Sequence, residues 1–188
     1  MRPIAANLNK NDQREFKTVG DLVLSRRCMT FYPDEFVNII LPALQTGASS
    51  AAGVVDDEGN LIGLLTERHI LRHIFLKVLD PTINPANLRK YLEDMTVEEA
   101  MIPTPETLDE SICLEDAVGM MVRRGYRFMP VVSRADRNHL LGIVDEREIA
   151  LHLKNRLLEA KKTAEETQSI LSFMLREPYG AGTQLTGT

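Results

Sequence analysis

The sequence predicts a mixed α/β (α+β) protein in which two copies of one strand–helix–strand–strand–helix unit pack as a pair and a long C-terminal helix follows. Three observations carry this prediction. Gly63-Leu64-Leu65-Thr66-Glu67-Arg68-His69-Ile70 returns as Gly142-Ile143-Val144-Asp145-Glu146-Arg147-Glu148-Ile149, roughly 79 residues on, too far apart for turns of one element and suited to two supersecondary units. In both copies a short all-apolar run, typical of a strand covered on both faces, gives way to apolar residues spaced three and four apart, typical of a helix. Neither copy alone could bury two helices and a small sheet, so the two share one body.

The elements follow in matching order. An N-terminal extension, 1–17, precedes copy one at 18–79, and copy two occupies 96–157. Thr18-Val19-Gly20-Asp21-Leu22-Val23 and Thr96-Val97-Glu98-Glu99-Ala100-Met101 are equivalent short opening segments, each leading to an extended stretch and a helix. The first helix is expected over Asp34 to Thr46, with Phe36, Ile39, Ile40, Ala43 and Leu44 on one face. Its counterpart is expected from about Ser111 to Arg124, with Leu114, Ala117, Val118 and Met121 inward and Ser111 and Glu115 suited to the first turn. Gly47 and Gly125 stop these helices, as glycine does where a left-handed residue is needed. A hairpin comes next in each copy: Val54-Val55 and Leu61 to Leu65 flank Asp56 to Asn60, and Val131-Val132 and Leu140 to Val144 flank Ser133 to His139. The second helices begin at Glu67 and Glu146, carrying Ile70, Ile74, Phe75 and Val78 in one and Ile149, Leu153 and Leu157 in the other, with His73 and His152 at matching positions.

Asp80-Pro81-Thr82-Ile83-Asn84-Pro85 breaks the chain between copies, and the linker, 80–95, holds a short helix at about Ala86 to Glu93. After Lys154 the apolar spacing continues through Leu157, Ala160, Ala164, Ile170, Leu171 and Met174 with no breaker before Pro178, which predicts one helix of about 30 residues. Its stripe either folds back on its own domain or on Met1 to Lys17, or meets the same helix of a second copy. The extension 158–177 is thus helical, and the small, polar tail, 178–188, is expected to be disordered.

Composition narrows the classes. In 188 residues, 44% hydrophobic and 26% charged content is that of an ordinary globular protein. No apolar run approaches the ~20 residues of a membrane span, and Met1 to Asn7 lacks the apolar core of a secretory signal, so a cytoplasmic protein without membrane insertion is expected. Cys28 and Cys113 stand at non-equivalent places in the copies and read as reduced, packed thiols rather than a repeated disulfide or metal motif. A net charge of −5, with lysines and arginines scattered among acids, argues against nucleic-acid binding.

With the repeated Gly-apolar-apolar-x-x-Arg-x-Ile motif and the helix-strand-strand-helix order in place, residues ~18 to 157 resemble a tandem pair of cystathionine-beta-synthase (CBS) domains, a Bateman module. The resemblance implies a pseudo-twofold body with two clefts. It further implies adenine-containing regulatory ligands and control of an attached or partner protein. No catalytic domain is attached in this sequence, so a stand-alone module is expected.

In the family pattern a Thr or Ser at the N-terminal end of the second helix contacts phosphate, and an Asp three residues later accepts hydrogen bonds from ribose hydroxyls. The chemistry suits both roles, because helix N-termini favour anions and a carboxylate accepts from a diol's two donors. Both copies depart from the pattern. Copy one keeps Thr66 and Arg68 but has His69 at the Asp position, able to add positive charge below its ordinary pKa of about 6.5. Copy two keeps a carboxylate as Glu148, beside Arg147, but has Asp145 in place of the hydroxyl. A negative charge there opposes a phosphate by roughly 1 to 4 kcal/mol at ~4 Å, depending on the effective dielectric, so that cleft should disfavour AMP or ATP unless a cation intervenes. Alternatively, Asp145 is simply a helix N-cap in a site that has lost its ligand. Ala52-Gly53 and Met129-Pro130 match the positions that flank adenine in the family, with Arg127 as a further phosphate contact. Strand packing is the competing role for these residues, and Pro103-Thr104-Pro105 either shapes the cleft rim or stiffens a turn.

The expected function is a regulatory, non-enzymatic, homodimeric protein that binds AMP, ADP, ATP or S-adenosylmethionine, has no obligatory cofactor and regulates an unknown protein. The alternative is a ligand-free scaffold for dimerisation or protein interaction. The histidines at 69, 73, 139 and 152 form no recognised metal or nucleophile motif.

Overall fold

The computed structural model describes residues 16–174 except 26, 47–49 and 83. The expectations for residues 1–15, for Gly47 and for the tail lie outside the described residues. The chain divides into two units, Met1–Ala150 and Leu151–Thr188.

The first unit holds both repeats. Its elements are α1 (Val19–Leu24), β1 (Thr30–Phe31), α2 (Val37–Thr46), β2 (Ala51–Val55), β3 (Leu61–Thr66) and α3 (Glu67–Val78). A 3-10 turn at Pro85–Asn87, α4 (Leu88–Asp94), α5 (Val97–Ala100) and β4 (Ile102–Pro103) lead into the second copy. There β5 (Leu108–Asp109), α6 (Leu114–Arg124), β6 (Phe128–Val132) and β7 (Leu140–Asp145) are followed by the start of α7 (Glu146–Met174).

Two sheets result, ordered β1-β2-β3-β4 and β5-β6-β7. In each, the first strand pairs parallel with the second and the second antiparallel with the third, as a helix crossover followed by a hairpin requires. The hairpins share their register: Ala51 faces Thr66 as Phe128 faces Asp145, and both shift at one place, Val54/Val55 and Val131/Val132. In the shorter turn Asp56 accepts from the backbone of Asn60 at 2.7 Å while Gly59 takes φ +84°. The hairpin tips also meet, since Leu61 N donates to Asn138 O at 2.8 Å.

The opening segments are short helices, and each docks on the other copy. Thr18 and Asp21 form a reciprocal capping box that starts α1, as Thr96 and Glu99 do for α5. Accepting the Thr18 and Lys17 backbone N–H groups holds the Asp21 carboxyl below its usual range. Val19 N then donates to Ile112 O and Gly20 N to Glu110 O, while Val97 N donates to Glu35 O and Glu98 N to Pro33 O. A Cβ on Gly142 would lie 2.5 Å from Val23 Cβ, and one on Gly63 would meet the Met101 side chain. The glycine of each repeated motif is therefore the space into which the other copy's opening helix packs.

This exchange changes which residues are buried. Phe31, Val37, Ile40, Leu44, Val54, Leu65, Ile70, Met95 and Val97 build one core, and Ala51, Leu64 and Ile143 a second, with Cys28, Ile102 and Phe128 against it. The first helix starts at Val37, not Asp34, because Phe36 pairs with Thr96 and Tyr32 N is tied to Glu35 Oε2 in the preceding turn. Its inward face is accordingly Val37, Ile40 and Leu44, whereas Phe36, Ile39 and Ala43 are exposed. On α3 only Ile70 is fully buried, and the expected Phe75 and Val78 point outward. Helix α6 begins at Leu114, since the Ser111 hydroxyl donates to Asp109 at 2.6 Å instead of capping it. Leu114, Ala117 and Met121 are buried as expected, and Gly125 ends the helix at φ +71°.

The second unit contains α7 beyond Ala150, and every residue from Leu157 to Ser172 is exposed. Among the described residues no helix is long and apolar enough to cross a membrane.

Filling the space at Gly142 should be costlier than at Gly63, because Val23 presents a branched Cβ fixed to its backbone and Met101 the end of a flexible chain. Denaturant unfolding is expected to show Gly142→Ala destabilised by about 1–3 kcal/mol and Gly63→Ala by less. Combining Gly142→Ala with Val23→Gly, which removes the Cβ in the way, should lose less than the two changes summed.

Candidate functional site

The two candidate sites lie where β3 turns into α3 and where β7 turns into α7. Burial of Ile70 and Ile149, both 0% exposed, fixes the roll of each helix. The preceding residues, His69 and Glu148, then stay half-buried beside the helix start.

In copy one Thr66 is the last strand residue and the N-cap of α3, in extended conformation. Its Oγ accepts from His69 N at 3.3 Å and lies 2.5 Å from His69 Nδ1. With the Thr66 hydroxyl assigned as donor to Nδ1, the ring proton lies on Nε2. Burial lowers the His69 pKa, and the neighbouring Arg72 and Arg68 lower it further. The lowered pKa favours the neutral ring, which offers one N–H donor where the family pattern has a carboxylate acceptor. Thr66 is only 4% exposed beneath it, while Arg68 and Arg72 are exposed. Copy one therefore presents donors and positive charge at a helix N-terminus.

Copy two is built differently. Asp145 Oδ1 accepts from Arg147 N at 2.9 Å, capping α7. Its other oxygen, Oδ2, accepts from Arg127 Nη2 at 3.3 Å. The Arg127 guanidinium also sits 4.7 Å over the Phe128 ring, a cation–π contact that steadies it. The charge expected to repel a phosphate is thus already matched by a resident guanidinium.

The shared register identifies Ser50, unmarked by the motif, as the counterpart of Arg127. Glu67 N donates to Ser50 O, and Glu146 N to Arg127 O. Ser50 and Arg127 are equivalent, so the internal cation belongs to copy two alone. Extending the repeat alignment one residue before β2 and β6 was the available signal. Arg72, a turn beyond His69, was also unmarked by the motif.

The strand positions are brought to the core. Ala52 and Met129 are 0% and 1% exposed, and Gly53 and Pro130 are buried. A Cβ on Gly53 would meet the Leu140 side chain, so its space is taken by packing. Among the described residues no group of three or more His, Cys, Asp or Glu side chains is arranged to hold a metal ion.

A paired, exchanged α/β repeat with a helix N-terminus at each strand end defines the class of tandem two-repeat modules. The CBS domain model matches residues 19–76 and 93–155, and the chain belongs to the CBS-domain family. Among curated proteins it is 25% identical over 122 residues to uncharacterized protein MJ1225 of Methanocaldococcus jannaschii, covering 65% of this chain and 38% of that one. Among solved structures, CBSX2 in complex with AMP matches with TM-score 0.56 and 23% identity, covering 78% of this chain and 99% of that chain. The CBS domain pair of protein MJ0100, in complex with 5'-methylthioadenosine and S-adenosyl-L-methionine, matches with TM-score 0.55 and 22% identity, over 77% and 97%. At these identities the structural likenesses establish the fold.

The lowered His69 pKa has a definite pH consequence. Between the folded value and the unfolded one of about 6.5, the unfolded chain binds the extra proton, so stability is full above that window and falls on acidification through it. Thermal unfolding from pH 8 to 5 should show this decline, and His69→Gln should reduce it.

Proposed function

We propose that the protein is a cytoplasmic regulatory module in which copy one binds a phosphorylated adenosine ligand and transmits that state to a partner protein, without catalysis. The observation carrying this reading is the unlike pair of helix starts. Copy one offers the α3 N-terminus, Arg68, Arg72 and a His69 Nε2–H with a hydroxyl at the cap, whereas copy two has a carboxylate there already paired with Arg127. A phosphate at α3 would meet backbone N–H groups and two guanidinium side chains, and ribose oxygens would accept from His69. The AMP-bound and S-adenosylmethionine-bound relatives support the ligand class. Transmission requires that the ligand bind one arrangement of the module better than another.

Calorimetric titration with AMP, ADP, ATP and S-adenosylmethionine tests the reading. A phosphate-bearing ligand is expected to bind, Arg68→Ala to weaken it about tenfold, or ~1.4 kcal/mol, and Thr66→Ser to bind like the native chain. Thr66→Ala removes the cap as well, at about 1 kcal/mol of stability, so the serine variant isolates the hydroxyl's role. No heat and no thermal shift with any of the four at millimolar concentration would instead support the scaffold reading.

Copy two supplies a separate prediction. Asp145→Thr leaves a capping oxygen but releases Arg127 from its ion pair. A second phosphate-dependent binding event should then appear in the titration, and adding Arg127→Ala should abolish it.

A further inference from the structure

Taking copy one as the site of a phosphorylated adenosine, the reading this step rests on, we infer that the ligand carries a second phosphate on its ribose, an adenosine bisphosphate, held by the His69 ring N–H with Arg68 and Arg72. The start of α3 is rich in donors and poor in acceptors. Thr66 Oγ is fully engaged, accepting from His69 N at 3.3 Å and bonded to His69 Nδ1 at 2.5 Å, and the residue is only 4% exposed. His69 Nε2–H is left to meet a ligand. At about 100° per residue, Glu67 lies roughly 160° around the helix from His69, so its carboxylate belongs to the other side. A ribose hydroxyl bound at Nε2–H would find neither Thr66 Oγ nor Glu67 placed to take its own proton, whereas phosphate oxygens only accept.

Charge extends the same preference. Arg68 and Arg72 lie about 40° apart and ~6 Å along the axis on the side that carries His69; both are exposed, and among the described residues neither is held in an ion pair. Burial lowers the His69 pKa and both guanidiniums lower it further, which places their charges close to the ring. A 5'-phosphate at the helix start is met by backbone N–H groups. Arg72 stands a turn beyond them, where those groups are bonded within the helix, so its guanidinium serves a second anion of about −1.5 to −2 charge. Copy two has no such face: Glu148 and Leu151 stand at the places of His69 and Arg72, and Arg127 is already paired with Asp145. A bisphosphate therefore discriminates between the copies more sharply than AMP does.

Calorimetric titration of the full-length chain compares AMP, ADP, adenosine 2',5'-bisphosphate and adenosine 3',5'-bisphosphate. One of the two bisphosphates should bind about tenfold tighter than AMP, ~1.4 kcal/mol, and ADP, whose second phosphate extends the 5' chain, should gain less. His69→Asp should reverse the order, AMP then binding tighter than that bisphosphate, because a carboxylate accepts from free hydroxyls and repels the added phosphate. The variant keeps the helix start, since an Asp three residues after Thr66 completes the capping box that Asp21 makes with Thr18. Arg72→Leu, matching Leu151 of copy two, should weaken the bisphosphate more than AMP. AMP or ADP binding as tightly as the better bisphosphate, or an order unmoved by His69→Asp, would overturn the inference while leaving the nucleotide reading in place; failure of all four to bind overturns both.

Discussion

The close approach between each repeat's glycine and the other repeat's opening helix is the contact on which the first unit depends. Val23 lies over Gly142 and Met101 over Gly63, at positions equivalent in the two copies. Capping boxes at Thr18 and Thr96 set the helices, and backbone bonds from Val19, Gly20, Val97 and Glu98 carry each across to the opposite copy. Neither repeat holds a complete core. Met95, Val97 and Ala100, which belong to or precede the second repeat, are buried with Phe31, Val54 and Leu65 of the first. Separating the copies would uncover the apolar side chains of both, so they are expected to unfold together.

The fold was legible because the repeat reports long-range structure through local chemistry. Two glycine motifs with matching flanks indicated the element order, both hairpins and the pairing of copies, and the apolar spacing after Lys154 indicated the long helix. What they could not give was the exchange of opening helices, because a capping box specifies where a helix starts and says nothing about which surface receives it. The errors in helix faces follow from the same limit. Phe36 and Ile39 share helical spacing with Ile40 and Leu44, but Phe36 is drawn into a bridge with Thr96 and the helix starts one residue later. Phe75 and Val78 were apolar and correctly spaced, yet α3 is covered on one narrow face, around Ile70. Periodicity identifies an apolar surface without revealing what covers it.

The candidate sites were legible in residue type and less so in state. Thr66, His69, Asp145 and Glu148 could be marked by aligning the copies, and the structure sets Thr66 with His69 and Asp145 with Arg127 and Arg147. The sequence reading allowed His69 a positive charge below its ordinary pKa, and left Asp145 either opposing a phosphate unless a cation intervenes or serving as a helix N-cap. Both assignments turned on neighbours outside the motif. Burial and Arg72 favour the neutral imidazole, and Arg127, standing where copy one has Ser50, matches the carboxylate. Three-dimensional equivalence locates Ser50 and Arg127 through the bonds their carbonyls accept from Glu67 and Glu146.

The asymmetry of the sites is matched by an asymmetry in what lies behind them. Thr66 is three residues along β3 from Gly63, and Asp145 three along β7 from Gly142. Behind the first stands Met101, an unbranched thioether that adapts to small displacements; behind the second stands Val23, stiff at its β-carbon. Copy one combines a neutral internal bond at the helix start with a compliant contact beneath the strand. Copy two combines an ionic internal bond with a rigid contact. The packing beneath the strand end is therefore the more compliant in copy one and the stiffer in copy two.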